Sequence, residues 1–235
     1  MEISDNVTVE TKESVEDILP SQGGRWAAGE DPVKREQILD GAHNVFMRLG
    51  FDAASMNDVT REAGVSKGTL YVYFANKEEL FSATIERERA NFIARMRMTL
   101  AEHDDLEGGL YDFGVIFVRH MTNENVISAM RTVLGVRDRM QVLCQRFFKG
   151  PENLRTVLQE FLRRHMATGR LEIDDLDLAA GQYLDLSSGS FFKQRLFGSM
   201  EDVPSQAEIE RVINGAVRTF MLAFGARERN ANPQV

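Results

Sequence analysis

Between Asp31 and Asn76 a capping residue opens a helix four times, and glycine twice marks a helix end. This punctuation constrains the fold more than any compositional figure, because it demands short helices joined by tight turns. Asp31 before Pro32 pairs an N-cap with a proline at the first helical position. Ile38, Ala42, Val45, Phe46 and Leu49 then form an apolar stripe at helical spacing, which Gly50 is expected to end. Ser55 with Asp58 opens a short second helix that runs to about Ala63, and Gly64 closes it. Ser66 caps a third helix. Asn76 with Glu79 forms a capping box for a fourth, which passes Phe81, Ile85, Phe92 and Met96 to about Leu100.

The rest of the chain also reads as helix, near 106–120, 125–134, 136–148, 152–168, 175–197 and 206–225, with "TNEN", Gly135, "KGPEN", "GRLEIDD" and "FGSMEDVPS" between. No segment alternates with the period of a strand, so the fold class is all-α. Residues 1–31 show no sustained periodicity and hold eight acidic against two basic residues, which accounts for most of the net charge of −8. They read as a largely disordered acidic extension. The acidity therefore says little about the surfaces of the folded part, and any DNA affinity must come from a local positive cluster. Within the extension Arg25 and Trp26, the sole tryptophan, stand out. A basic arm ahead of a DNA-reading domain can enter a minor groove; equally, Trp26 can pack on its own domain or do nothing.

A short capped helix, a turn at Gly64 to Ser66 and a second short helix make a helix-turn-helix over 55–74. Val59, Ala63, Val65, Leu70 and Phe74 can pack the pair onto the first helix. That leaves Lys67, Gly68, Thr69, Tyr71 and Tyr73 on the outer face. A glycine in a first helical turn costs about 1 kcal/mol against alanine. The cost is understandable if the front of this helix approaches DNA, where Gly68 removes bulk and Lys67 reaches a guanine edge or a phosphate. Ser66 leaves amide groups at the helix start, where the dipole favours phosphate. Thr69, Tyr71 and Tyr73 carry hydroxyls for phosphates, Thr69 or Val72 can touch a thymine methyl, and Lys77 offers a second phosphate clamp.

The segment "MNDVTREAGVSKGTLYVYFANKEELF" (56–81), extended back through "REQILDGAHNVFMRLGFDAAS", resembles the DNA-binding domain of TetR-family transcriptional regulators over about residues 33–85. The resemblance implies that Lys67 and Gly68 approach bases while Thr69, Tyr71, Tyr73 and Lys77 hold the backbone. It also implies that Val72 helps set the target and that Asn57 can reach a base. The acidic N-terminal extension departs from the family pattern.

The resemblance fades after about residue 90, where the family architecture implies a helical ligand-binding and dimerisation domain. "RLEIDDLDLAAGQYLDLSSGSFFKQRLFG" is similar to the C-terminal region of efflux-repressor-like members. The organisation expected is thus an extension at 1–31, a helix-turn-helix domain at 32–85, the ligand-binding and dimerisation domain at 86–225 and a tail at 226–235. Residues 110–170 are rich in Met and Phe, which suit a pocket for a small apolar or aromatic ligand. Candidate lining residues are Phe113, Phe117, His120, Met121, Met130, Cys144 and Phe147, any of which can instead be plain core. Small residues beside large apolar ones mark the last two helices, and family analogy pairs these with their copies in a twofold four-helix interface. Gly181, Leu184, Ser188, Phe192, Val212, Ala216 and Phe220 are the candidates for it.

Catalysis finds little support. The four histidines are scattered, and no glycine-rich phosphate loop or nucleophile elbow occurs. His120 and Glu124 are four apart, a spacing for two metal ligands that also arises by accident. No metal or cofactor is expected. No apolar run is long enough for a membrane span, the N-terminus lacks a secretory pattern, and the lone Cys144 excludes an internal disulfide, so a cytoplasmic protein without membrane partners is expected. The function expected is a homodimeric, sequence-specific DNA-binding regulator, a repressor released from an inverted-repeat operator by a small ligand. Alternatives are an activator, a co-repressor-dependent regulator, or a helical sensor whose DNA head is idle.

Overall fold

A computed structural model of the chain describes residues 26–138 and 153–226. Nine helices lie among the described residues: α1 (Pro32–Ala53), α2 (Met56–Ala63), α3 (Lys67–Tyr73), α4 (Lys77–Ala101), α5 (Leu106–Thr122), α6 (Glu124–Val136), α7 (Leu154–Ala167), α8 (Leu176–Phe197) and α9 (Gln206–Phe224). Pairing outside helices, among these residues, is limited to one bridge between Leu171 and Gly225. The helix expected at 136–148 falls almost wholly outside the described residues.

The caps form as their residue types require. The Asp31 carboxylate accepts from the Val33 and Lys34 amides at 2.9 and 3.1 Å. Ser55 and Asp58 close a reciprocal capping box, in which the Ser55 hydroxyl and amide hold the Asp58 carboxyl below the usual carboxylate range. Gly64 turns the chain at φ 64°. Gly50 ends the regular run of α1, as expected. Its φ of 76° breaks α1, but one more turn follows and buries Phe51. The Phe51 ring lies tilted against Phe46 and Phe81 at centroid distances of 6.0 and 4.9 Å, and burying a ring of this size contributes roughly 1.5–3 kcal/mol. Gly41 sits where α1 and α2 meet, and a Cβ there would lie 2.6 Å from that of Ala63.

Two apolar clusters organise the described residues. The first joins Ile38, Val45, Phe46, Val59, Leu70, Phe74 and Phe81 of α1–α4. It also takes in Val133 and Val136 of α6, which sequence alone had assigned to a separate domain. The second fills the space between the far half of α4 and helices α5, α7, α8 and α9. Helix α4 runs unbroken through the expected 85/86 boundary, with Phe81 and Ile85 in one cluster and Phe92 and Met96 in the other. In the second cluster the Tyr183 hydroxyl donates to the Leu110 carbonyl at 2.6 Å, and burial pushes its pKa far up, so it stays a neutral donor.

One buried cation knits this body together. Arg195, 3% exposed, donates to the carbonyls of Thr122 and Met200, each at 3.2 Å, to that of Glu201, and to the Glu124 carboxylate at 2.5 Å. Glu124 is thereby committed to an ion pair. Arg131 of α6 donates in turn to the carbonyls of Arg195 and Leu196. Helix α6 thus packs into the first cluster at one face and grips the end of α8 at another.

Candidate nucleic-acid interface and internal cavity

Helix α3 is held from behind and open in front. Leu70 and Phe74 are buried at 0% and 3%, whereas Tyr71 and Val72 stand 44% and 53% exposed. The Ser66 hydroxyl accepts from the Thr69 amide at 3.0 Å and lies 2.8 Å from the Thr69 hydroxyl, which fixes the first turn. Gln37 of α1 donates to the Ala63 carbonyl at 2.7 Å and so braces the turn before α3. The Lys67 ammonium lies 5.9 Å from the centre of the Tyr71 ring. Asn57 is exposed at the start of α2. Gly68 has no internal reason to be glycine, since an added Cβ would meet only the Ser66 hydroxyl oxygen at 3.8 Å. Nothing in the head would resist a side chain there.

Two expected DNA contacts are engaged inside the protein. The Lys77 ammonium donates to the carbonyls of Phe51, Asp52 and Ala54 at 2.7, 3.2 and 3.0 Å and lies 4.5 Å from the Phe51 ring centre. An ammonium has three donors, so in this arrangement none is left for a phosphate. The Tyr73 ring packs on the first cluster and its hydroxyl donates to the Asp31 carbonyl at 3.3 Å. The reason is the extra turn after Gly50 and the close approach of the chain ahead of α1, neither of which spacing discloses. Conversely, Lys34 and Arg35 were not singled out. Both lie in the first turn of α1, and the Arg35 guanidinium stands 5.4 Å from the Phe74 ring centre, beside the end of α3. A basic pair just after a proline-led cap, next to a helix-turn-helix, was the available signal.

A cavity of about 930 Å³ opens between α1, α4, α5, α6, α7 and α8. Phe117, His120, Met121 and Met130 line it, together with Phe46, Phe81, Phe92, Val126 and Leu184. Phe113 does not: it is fully buried in the second cluster, 6.3 Å from the ring of Tyr183. Cys144 and Phe147 lie outside the described residues. His120 stacks on Phe92 at 3.5 Å, and burial, helped by the Arg95 charge, pushes its pKa down to about 4, against a pull from Glu88. It is therefore a neutral imidazole at pH 7. His43 of α1 also faces the cavity, and its Nδ1 is buried without a hydrogen bond 3.8 Å from the Glu88 carboxylate. Arg87 ties the same region together through Glu36 and Asp40 of α1 at 3.1 and 2.8 Å.

The expected self-association residues divide between the chain's own interior and its surface. Ala216 and Phe220 face the chain's own core at 3% and 1% exposure. Gly181 is covered by the Arg155 guanidinium, Leu184 lines the cavity, and Ser188, Phe192 and Val212 are half-buried. The open apolar positions are instead Leu178, Leu186 and Phe197 of α8 and Leu222 of α9. Gly189 and Gly215 stand among them, and an added Cβ at either meets nothing within 4 Å. Clusters of small and large residues told that these helices were close-packed, but not which face was already taken.

Among the described residues no three His, Cys, Asp or Glu side chains gather for a metal, and no helix is long and apolar enough to cross a membrane. Residues 38–84 match the family model for bacterial regulatory proteins of the tetR family, and residues 108–226 match that for the C-terminal domain of AefR-like transcriptional repressors. The HTH-type transcriptional activator FasR of Mycolicibacterium smegmatis is 38% identical over 72 residues, 31% of this chain and 33% of its own length. The chain thus spans about a third of that relative. A tetR-family structure from Mesorhizobium loti superposes with a TM-score of 0.76 at 24% identity, over 82% of this chain and 97% of the other. The flavonoid-responsive regulator FrrA does so with a TM-score of 0.62 at 26% identity, over 84% and 100%. These matched proteins are regulators of transcription rather than enzymes. With one model matching the head and the other matching half of the whole chain, this protein belongs to the TetR family of transcriptional regulators.

Proposed function

We propose that the protein is a homodimeric, ligand-released repressor that reads an inverted-repeat operator through α3. The observation that carries this reading is the front of α3. Lys67, Gly68, Tyr71 and Val72 are exposed on a helix anchored from behind, and Gly68 has a missing side chain that the fold itself does not need. A helix start also offers unpaired amides and a favourable dipole to phosphate. Lys34 and Arg35 extend the basic rim at the neighbouring end of α1, and Asn57 can reach a flanking base. Pairing through the outward faces of α8 and α9 would present two copies of α3 to successive major grooves, about one helical turn apart or slightly more.

The cavity supports a small, largely apolar, aromatic effector. Its walls carry Phe, Met, Ile, Val and Leu beside charged groups at its edge such as Glu88, Arg155 and Asp177, and its imidazole at position 120 is neutral. It touches α1, α4 and α6 together, so an occupant that fits one spacing of the heads better than another shifts the population of DNA-binding forms. FrrA is flavonoid-responsive by name, and a flavonoid is a fitting first probe here. Titrating a flavonoid such as naringenin into the protein–operator complex should lower the anisotropy of labelled duplex. A rise in affinity would make the ligand a co-repressor. Displacement of a bound dye from the cavity without any effect on DNA would count against coupling.

A further inference from the structure

The chain just before α1 is not a loose tail. Residues 27–30 form a turn in which the Glu30 amide donates to the Ala27 carbonyl at 3.0 Å. Gly29 takes the third position at φ 91°, the backbone conformation that glycine supplies there. This turn rests on α3 itself. A Cβ at Gly29 would lie 3.3 Å from Val72 Cγ1 and 3.4 Å from the Val72 carbonyl oxygen. Two residues on, the Asp31 carbonyl accepts from the Tyr73 hydroxyl. The turn therefore sits at the same end of α3 as exposed Tyr71 and Val72, with Arg35 alongside. Trp26, directly ahead of it, is 53% exposed and belongs to neither apolar cluster. The largest side chain in the sequence is exposed to solvent, next to the exposed end of α3.

We infer that Trp26 is a DNA contact: the indole packs against the sugar–phosphate edge of the duplex flanking each half-site. This rests on the reading of α3 as the recognition helix and extends its surface outward. The indole fits the role, because its face is apolar and its single N–H can donate to a phosphate oxygen. The Gly29 turn supplies the positioning, since it rests on Val72 and fixes the direction from which the chain reaches α1. The contact lies outside the bases that α3 reaches, so it should depend on the length of flanking duplex and not on its sequence.

Trp26 is the chain's sole tryptophan, so its emission reports this one position. Full-length protein would be saturated with a duplex selected from a random-sequence library, saturation being followed by anisotropy of a label on the DNA. With long flanks, quenching of the emission by acrylamide should fall at least about twofold; with flanks cut to the half-sites it should not change. Trp26→Ala should weaken binding of the long duplex by about fivefold or more and leave the short one unaffected. Gly29→Val, which keeps the indole but strains the turn and meets Val72, should reproduce that loss. Unchanged quenching at DNA saturation overturns the proposal, as does equal weakening of both duplexes. A quenching change that follows protein concentration without DNA also overturns it and assigns the indole to a contact between copies. No anisotropy change with any duplex overturns the reading of α3 itself, and the arm contact with it.

Discussion

Lys77→Met separates a structural role from a DNA-contacting one at a single position. In the protein the ammonium closes the broken end of α1 by donating to three carbonyls, at 2.7, 3.2 and 3.0 Å, and it covers the Phe51 ring. A hydrogen bond from a charged donor contributes about 1.5–3 kcal/mol, and a cation over an aromatic ring about 0.5–1 kcal/mol when exposed. The three bonds share one partly solvated charge, and holding a lysine still costs up to about 2 kcal/mol of side-chain entropy. A net loss of about 2 kcal/mol follows. Urea unfolding at one fixed protomer concentration should then shift its midpoint down by roughly 0.7 M, taking a slope of about 3 kcal/mol per molar. Operator affinity, measured where the variant is fully folded, should keep its dependence on salt. A phosphate contact predicts the reverse: an unchanged midpoint, and a slope of log affinity against log salt that falls by about one unit. That second outcome refutes the assignment of Lys77 to the α1 turn.

Gly68→Ala should raise stability by about 0.5–1 kcal/mol, because the helix gains and the added methyl meets only the Ser66 hydroxyl oxygen at 3.8 Å. The same variant should bind operator at least about tenfold more weakly; unimpaired binding would remove the argument from Gly68. Leu222→Arg places a charge on the outward face of α9, where the leucine is 79% exposed, and should yield monomers in sedimentation without loss of helix content. An intact dimer would send the interface elsewhere. His120 provides a pH test. Its native pKa of about 4 lies below the unfolded value of 6.5, so the unfolded chain binds the proton first. Stability should therefore fall as pH drops from about 6.5 toward 4, by about 1–2 kcal/mol once partial solvent screening is allowed for, and His120→Gln should lose less over that window. Parallel losses in both proteins would mean the imidazole is not desolvated.

The local code was legible and the faces were not. Asp31, Ser55, Ser66, Asn76 and Gly64 announce their caps by residue type, since capping is a contact within three residues. Leu70 and Phe74 likewise declare the inner side of α3. Local spacing was silent where a partner lies far along the chain. Lys77 finds carbonyls 23 to 26 residues away, and Tyr73 one 42 residues away. Arg195 gathers groups 71 and 73 residues distant, which no local pattern reports. On α9, Val212, Ala216 and Phe220 recur at helical spacing as an interface would, yet the second cluster already uses that face. The amphipathic stripe of a helix names a buried side without saying what buries it. The cavity was foreseen as a Met- and Phe-rich region, but Phe113 and Phe117 are one turn apart and only the second reaches it.

The most direct test of DNA recognition by paired α3 helices is recovery of genomic fragments by the purified protein at about 150 mM salt, where non-specific affinity is weak. Enrichment of one inverted repeat, with half-site centres about one helical turn apart or slightly more and two protomers bound per site, is the predicted result. Its loss with Gly68→Ala should follow. Recovery of fragments without a shared inverted repeat, or equal enrichment by wild type and Gly68→Ala, would contradict the account.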